Sequence, residues 1–327
     1  MNERILNNLH ESHDEESRQV VEISVVAPCH NEESNIEELE RRVSAVCRSL
    51  FSDSYEIVLV NDGSADGTWD KIISTAQTRP NILAIDLSRN FGHQVALSAG
   101  LSLANGKRIF ILDADLQDPP ELLQEMVQAM DDGADVVYGK RADRLGDSAP
   151  RKAASSIFYR LLKGLSDNDI PVDTGDFRLI SRRVLDILQQ MPEHHRYLRG
   201  MISWVGMKQV PVEYVRDIRH SGETSYPISK LVALAVDGIT GFSIRPLRLT
   251  IYFGLIIAIL SLAYVVKITF VWIVWGISIP GWASVMVAIL LLSGIQMLFL
   301  GLVGEYVGRI FQEVKNRPLY VISNIVR

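Results

Sequence analysis

Short apolar runs recur along the first half of the chain, and stretches with helical spacing separate them. The first of these stretches has its apolar residues at Ile36, Leu39, Val43, Val46 and Leu50. Ser34 and Glu37 predict a capping box where that helix begins. Alternating strands and helices predict an α/β domain whose mostly parallel sheet is covered on both faces. We place strands at Ile23–Ala27, Tyr55–Val60, Ile82–Leu87, Arg108–Leu112 and Asp135–Tyr138.

The pattern changes in the last third, where Lys267 is the only charged residue between Leu249 and Gly304. A membrane-spanning helix needs roughly 20 apolar residues. We therefore predict two transmembrane helices, at 249–275 and 282–306, joined by a tight loop. Buried helices of a soluble domain are the alternative.

Positive charges flank the predicted pair of membrane helices on one side. Arg245 and Arg248 precede the first helix, whereas Arg309, Lys315 and Arg317 follow the second. Cytoplasmic segments next to membrane helices are enriched in Lys and Arg. We expect a multi-pass protein of the inner (cytoplasmic) membrane with both termini and the α/β domain in the cytoplasm.

These patterns divide the chain of 327 residues into five segments. Residues 1–22 hold six acids and two bases, which accounts for −4 of the net charge of −6, and we expect them to be disordered. The α/β domain covers 23–226. Residues 227–248 fit an amphipathic helix on the membrane surface, with an ordinary core helix as the alternative. The membrane helices occupy 249–306, and 307–327 form a cytoplasmic tail. The charge of −2 left for the body gives no sign of nucleic-acid binding.

Polar residues follow the predicted strands at the point where each one ends: Asn31, Glu32, Asp62, Asp113 and Asp115. Parallel strands bring these positions to one edge of the sheet, where open α/β sheets bind ligands. Two carboxylates spaced like the last two of these residues suit a divalent cation such as Mg²⁺. A solvated acidic loop is the alternative.

Basic residues would have to help hold any nucleotide phosphates. The chain has no Gly-x-Gly-x-x-Gly after the first strand and no Walker motif. Lys140 and Arg141 are candidates after the fifth strand, unless they belong to a solvated loop. Residues 173–182 combine two acids, a glycine and two arginines, which form either a polar site or a salt-bridged turn.

Six motifs together carry a family resemblance over about residues 22–320. They are Pro28-x-x-Asn31-Glu32, Asn61-Asp62-Gly63-Ser64, Ser88-Arg-Asn-Phe-Gly92, Asp113-Ala-Asp115-Leu-Gln117-Asp-Pro-Pro-Glu121, Thr174-Gly-Asp176-Phe-Arg178 and Gly304-Glu-Tyr-x-Gly-Arg309. With these motifs the chain resembles family-2 glycosyltransferases of the polyprenyl-phosphate type. It is most similar to bactoprenol glucosyltransferases and more distantly similar to dolichyl-phosphate mannose synthases.

The resemblance implies a GT-A (Rossmann-like) fold that transfers a sugar, with glucose favoured, from a UDP-sugar to undecaprenyl (polyprenyl) phosphate with inversion. The donor-binding residues it implies are Pro28, Asn31, Glu32, Asp62, Asp113, Ala114 and Gln117. Asp115 with Asp113 would bind Mg²⁺ or Mn²⁺. The implied contacts to phosphates or acceptor are Arg141, Arg178 and Arg219.

The resemblance makes Asp176 the proposed catalytic base. Since a phosphomonoester has a second pKa of roughly 6, we expect Asp176 chiefly to orient the acceptor, with Arg178 as a partner. One departure from the family is Ser225, which stands where a lysine is common, and this leaves more of the phosphate binding to Arg219.

Two other functions compete with this one. A processive polysaccharide synthase would usually carry a Gln-x-x-Arg-Trp motif, which Arg196-Tyr197 does not supply, and would need more membrane helices. A catalytically inactive membrane scaffold that binds nucleotide sugars is the other, although Asp113, Asp115 and Asp176 are all present. The sequence leaves the sugar and the subunit number open, a homo-oligomer included.

Overall fold

Eight strands form a single mixed sheet in the computed structural model of the protein, which describes residues 20–141, 174–194, 196–215, 245–275 and 281–327. The predicted acidic tail up to residue 19, the segment 227–244 of the predicted surface helix, and Arg219 lie outside these ranges. The strands are β1 (Ile23–Cys29), β2 (Tyr55–Asn61), β3 (Ile82–Leu87), β4 (Arg108–Ile111), β5 (Val136–Arg141), β6 (Thr174–Ser181), β7 (Gln209–Tyr214) and β8 (Ile322–Val326).

The strand order is β7-β5-β6-β4-β1-β2-β3-β8. Strands β4, β1, β2 and β3 are parallel neighbours, and β7 is parallel to β5. Strand β6 is antiparallel to both β4 and β5, and β8 is antiparallel to β3. The prediction of a mostly parallel α/β sheet is therefore confirmed, and all five predicted strands are present.

Helices cover both faces of this sheet. They are α1 (Ile36–Phe51), α2 (Thr68–Thr78), α3 (His93–Leu103), α4 (Leu123–Asp131), α5 (Arg182–Gln190), α6 (Leu198–Val205), α7 (Arg245–Trp275) and α8 (Trp282–Lys315), with a 3₁₀ turn at Pro120–Leu122. One buried core packs beneath α1, α2 and α4. The other packs beneath α3, α5 and α6. Because both faces are buried, strands such as β1 and β2 are apolar without alternation.

Three strands were missed by the sequence pattern. Residues 174–181 form β6 rather than a salt-bridged turn, and β6 separates β4 from β5. Its end is fixed by Arg182, whose Nε donates to the carbonyl oxygen of Gly106 at 2.9 Å. The predicted tail 307–327 instead continues α8 to Lys315 and then adds β8 to the sheet. Strand β7 was missed because it is only partly buried and so lacks a continuous apolar run.

The predicted capping box at the start of the first helix is wrong. Helix α1 begins at Ile36, and its N-cap is Asn35, whose side chain makes no capping hydrogen bond. The Asn35 Nδ2 group instead donates to Glu32 Oε2 at 2.5 Å. The Asn35 side chain thus bonds to Glu32 in the β1–α1 loop, and the helix starts one position later than the sequence pattern predicts.

Helices α7 and α8 are long and apolar, and they contact each other. Within the described residues, the stretch Leu291–Lys315 has the length and hydropathy of a membrane-spanning helix, and Thr250–Tyr264 is a shorter apolar helix. The end of α8 returns to the α/β domain. There Glu313 Oε1 accepts the backbone N–H of His194 at 2.9 Å.

Candidate active site

The carboxyl ends of the parallel strands lie on one edge of the sheet, as predicted, and hydrogen bonds connect the loops that follow them. Asn31, after β1, has a left-handed backbone with φ of 56°. Its Oδ1 accepts the backbone N–H of Ala65 at 2.9 Å, and its own N–H donates to Ser64 Oγ at 3.1 Å. These bonds join the β1–α1 loop to the β2–α2 loop. They fix the place of Asn31. The backbone N–H of Glu32, another predicted donor residue, donates to Thr68 Oγ1 at 2.9 Å, and Pro28 lies within β1.

Asp62, after β2, holds the loop that leads into α3. Its Oδ1 accepts the N–H of Phe91 at 2.7 Å, and its Oδ2 accepts the N–H of Gly92 at 3.0 Å. Gly92 has φ of 96°, a conformation that favours glycine. The side chain of Asp62 is buried. Its two carboxylate oxygens therefore bind backbone and determine where α3 begins.

Asp113 lies after β4 and has an available oxygen. Its Oδ1 is buried and accepts no hydrogen bond from the described residues, and His93 Nε2 lies 3.5 Å from it. Burial raises the pKa of Asp113 to about 6, with the charge of His93 opposing that shift. A buried carboxylate oxygen without a donor is costly, and a cation would relieve that cost.

Asp115 and Gln117 complete this turn. Asp115 Oδ1 accepts the N–H of Gln117 at 3.1 Å, and between them Leu116 has φ of 59°. Ala114 is buried. In the described parts of the chain, no group of three or more His, Cys, Asp or Glu residues forms a metal site. Two carboxylates with an unsatisfied oxygen nevertheless fit a Mg²⁺-type ion that shares its coordination with substrate phosphates.

Asp176 on β6 is enclosed by donors. Arg199 donates from Nε to Oδ1 at 2.8 Å and from Nη2 to Oδ2 at 3.0 Å. Oδ2 also accepts from Gln94 Nε2 at 2.8 Å and from His93 Nε2 at 3.2 Å. Burial favours the neutral acid, but the charge of Arg199 and the hydrogen bonds from His93 and Arg199 hold the pKa of Asp176 well below its usual value.

His93, Gln94 and Arg199 are site residues that sequence reasoning missed. The first two begin α3 directly after the Ser88–Gly92 motif, so their position after a strand end was an available signal. Burial opposes a charge on His93, yet its hydrogen bond to Asp176 and the charge of Asp113 raise the pKa of His93 to about 9. Arg199 belongs to none of the six motifs. It contacts Asp176 only because α6 packs against β6.

The basic residues that were predicted to contact phosphates or the acceptor have different surroundings from one another. Arg178 is buried and donates from Nη2 to the carbonyl oxygen of Gly175 at 2.8 Å, so Arg199 and not Arg178 is the hydrogen-bonded partner of Asp176. Burial lowers the pKa of Arg178 to about 10. Lys140 Nζ pairs with Glu213 at 2.8 Å. Arg141 ends β5, but its side chain is outside the described set, as is all of Arg219.

Two family descriptions match this chain. Glycosyl transferase family 2 matches residues 24–188, and the GtrB C-terminal hairpin matches residues 245–310. The first match covers the strands and loops that build the site, whereas the second covers α7 and most of α8.

Curated proteins are similar over nearly the whole chain. The glycosyltransferase YkcC of Bacillus subtilis is 44% identical over 93% of this chain and 94% of its own. A prophage bactoprenol glucosyl transferase homolog of Escherichia coli is 40% identical, with 93% and 99% covered. The bactoprenol glucosyl transferase of Shigella phage SfII is 39% identical, with 93% and 98% covered.

Proposed function

The chain belongs to glycosyltransferase family 2, and we propose that it transfers glucose from UDP-glucose to a polyprenyl phosphate such as undecaprenyl phosphate. The names of relatives about two-fifths identical over 93% of the chain support the sugar and the lipid. The observation that carries the proposal is the buried Oδ1 of Asp113, which accepts no hydrogen bond from the described residues and lies at the sheet edge beside Asp115. An acidic pair of this kind suits a donor whose leaving group is a diphosphate.

Asp113 and Asp115 would hold Mg²⁺ or Mn²⁺ in this scheme. When bound, the ion supplies positive charge that stabilises the departing diphosphate. The protein's own contribution is to present both carboxylates from one turn, which the Gln117 N–H braces through Asp115. We assign Gln117 and Ala114 to the diphosphate side of the donor.

The uridine side of the donor is assigned to the loops after β1 and β2. Pro28 lies near the end of β1, Asn31 and Glu32 lie in the loop after it, and Asn31 is exposed. Asp62 contributes differently, because its two oxygens bind the backbone of Phe91 and Gly92. We assign it to positioning the β3–α3 loop rather than to a direct contact with the base or ribose.

The membrane part of the proposal is that α7 and α8 form a two-helix hairpin in the inner membrane. The GtrB hairpin match over 245–310 supports it, as do the basic flanks of both helices. A lipid acceptor requires a site at the membrane surface, which such an anchor would ensure. Large apolar side chains are exposed along both helices, among them Leu255, Leu260, Leu262, Leu291 and Leu300.

The topology can be tested by labelling Ser278→Cys in membrane vesicles of known orientation. We expect reaction from the non-cytoplasmic side, with both termini accessible from the cytoplasm. Cys29 and Cys47 are buried, and burial raises the pKa of Cys29 and brings that of Cys47 to about 12, so background labelling should be low. Labelling from the cytoplasmic side alone would contradict the hairpin.

A panel of UDP-sugars offered with undecaprenyl phosphate tests the reaction itself. We expect UDP release that requires both substrates, with UDP-glucose the best donor. The product should carry one sugar whose anomeric configuration is inverted relative to the donor. Products with many sugars would instead indicate a processive synthase. UDP-sugar binding without any transfer would indicate an inactive scaffold.

A further inference from the structure

Asp176 is too enclosed to contact a substrate directly. Its side chain is 4% exposed, and its oxygens accept four hydrogen bonds from three side chains, Arg199, Gln94 and His93. A carboxylate offers about four lone-pair positions. An ionised carboxylate and a phosphate dianion both only accept hydrogen bonds, so an anionic acceptor would contact the donors around Asp176 rather than Asp176 itself.

Arg199 is the donor best placed for that contact. Its side chain is 27% exposed, and a guanidinium carries five N–H donors. Two of them, on Nε and Nη2, bind Asp176. Within the described ranges of the chain, Nη1 makes no hydrogen bond. One edge of the planar group is therefore fixed by Asp176, and the Nη1 donors stay available for a ligand.

The charges around Arg199 favour an anionic ligand. The site holds Asp113, Asp115 and Asp176, so an entering phosphate needs a cation to offset their repulsion. Arg178 is buried and directed at the Gly175 carbonyl. His93 lies between Asp113 and Asp176, at 3.5 and 3.2 Å. Arg199 is the permanently charged group at this position, and the charge of Asp176 raises the pKa of Arg199 further despite its burial.

We propose that Arg199 binds the phosphate of the lipid acceptor and that Asp176 is the positioning residue that holds the guanidinium in place. This inference rests on the proposed function. Guanidinium groups recognise phosphate through two parallel N–H···O bonds, a geometry that a lysine does not reproduce. A carboxylate that fixes one edge of the group preorganises the other edge for that contact.

The chemical step then needs no base. Near neutral pH much of a phosphomonoester is a dianion. One of its oxygens attacks the anomeric carbon of the donor, forming a C–O bond. The bond from that carbon to the β-phosphate oxygen breaks, and UDP leaves with the electron pair. No proton is transferred, so Arg199 and Asp176 act by placing the nucleophile.

The test compares Arg199→Gln with Arg199→Lys in the full chain, purified in detergent. For Arg199→Gln we expect the KM for undecaprenyl phosphate to rise at least about tenfold, since a hydrogen bond to a charged group is lost. The Kd for UDP in the presence of Mn²⁺ should stay within about twofold. Arg199→Lys should recover part of the acceptor affinity. An unchanged acceptor KM, or an equal loss of UDP affinity, would overturn the inference.

Two further variants guard against a folding defect. Arg199→Gln leaves Asp176 buried without its cation, so the double variant Asp176→Asn with Arg199→Gln removes both charges. Because Asp176 acts through Arg199, the double variant should have the acceptor KM of Arg199→Gln alone; a further multiplicative increase would contradict the coupling. Arg41→Gln is a matched control, since Arg41 makes the same two-pronged contact with Glu38 on the surface, and its kinetics should equal wild type.

The outcomes also separate this inference from the proposed function. If the wild-type protein releases no UDP with undecaprenyl phosphate, the proposed function itself is wrong. If the wild type is active and Arg199→Gln retains the wild-type acceptor KM, only the role of Arg199 is wrong.

Discussion

Two aspartates on the same edge of the sheet have opposite surroundings. Asp113, after β4, has a buried oxygen that accepts no hydrogen bond from the described residues. Asp176, on the neighbouring strand β6, accepts four. Burial acts on both, yet the pKa of Asp113 is raised to about 6, whereas the pKa of Asp176 is lowered well below its usual value by Arg199 and His93.

We infer from this difference that the number of hydrogen bonds a buried carboxylate accepts, rather than its residue type or burial, separates a carboxylate suited to a ligand from one that positions its donors. An unsatisfied oxygen in a buried setting carries a desolvation cost, and binding a cation would offset it. A saturated carboxylate gains nothing from a ligand and instead fixes its donors. By this criterion we assign Asp113 to ligand binding, and Asp176 and Asp62 to positioning. The assignment of Asp115 to the same ligand rests on its place beside Asp113 in one turn.

The largest effect should come from the ligand-binding group. Asp115→Ala should abolish transfer, a loss on the order of 10³-fold or more, because an unneutralised diphosphate is a poor leaving group. The protein should still fold and enter the membrane. UDP release measures the loss, with the exposed Asp70→Ala as a control. Full activity in Asp115→Ala, or in wild type with excess EDTA, would remove the metal assignment.

Asp176→Asn tests the positioning group and should cost about 10²-fold, within the range of losses for a misplaced reactant. The lowered pKa of Asp176 keeps it ionised from pH 6.5 to 8.5, so the defect should be nearly constant there. Parallel pH–rate profiles of wild type and variant measure it. If Asp176 removed a proton, the defect would shrink as the acceptor ionises. A tenfold decrease of the defect across this range (~1.4 kcal/mol) would show that Asp176 acts as a general base.

Asp62→Asn tests the other carboxylate assigned to positioning, whose two oxygens each accept one backbone N–H. An amide can accept only one of the two N–H groups of Phe91 and Gly92, so α3 and its His93 should shift. We expect kcat to fall about tenfold with the affinity for UDP preserved. Titration of UDP beside the rate measurement separates the alternatives: weaker UDP binding at unchanged kcat would make Asp62 a nucleotide contact.

The smallest effect should come from Glu313, a hydrogen-bonded carboxylate that lies away from the candidate active site. Glu313 raises the pKa of His194 through a hydrogen bond of 2.9 Å. A raised pKa stabilises the folded state below the unfolded value, about 6.5, and this contribution is lost as pH rises through the folded value. The Tm difference between wild type and Glu313→Gln should therefore be largest near pH 6 and smaller at pH 9. A difference that grows with pH would contradict the sign.

The sequence was most informative where one apolar run makes one buried strand. Strands β1 to β5 and the polar residues at the ends of β1, β2 and β4 follow from such runs and from the parallel arrangement. Strand β6 was missed because Asp176 and Arg178 interrupt its apolar pattern, and each is buried only by virtue of a partner. Strand β8 was missed because it has only five residues. A short segment that follows a long helix resembles an unstructured tail.

The partners of Asp176 were harder to predict than Asp176 itself. Arg199 lies on α6 and reaches Asp176 on β6 through helix packing, which no local pattern encodes. Arg178 was the nearer candidate in sequence, yet its side chain turns to the Gly175 carbonyl. The family resemblance identifies Asp176, but only tertiary packing decides which cation neutralises it.

Strand β8 has a consequence for how the protein is made. It pairs with β3 through residues 322–326, so the chain that leaves the sheet after β7 must come back to the same compartment. Any bilayer crossings by α7 and α8 must therefore be even in number, whatever the flanking charges. Strand β8, which follows both long helices in the chain, also covers the edge of β3. The sheet is thus completed only after α7 and α8 have been synthesised.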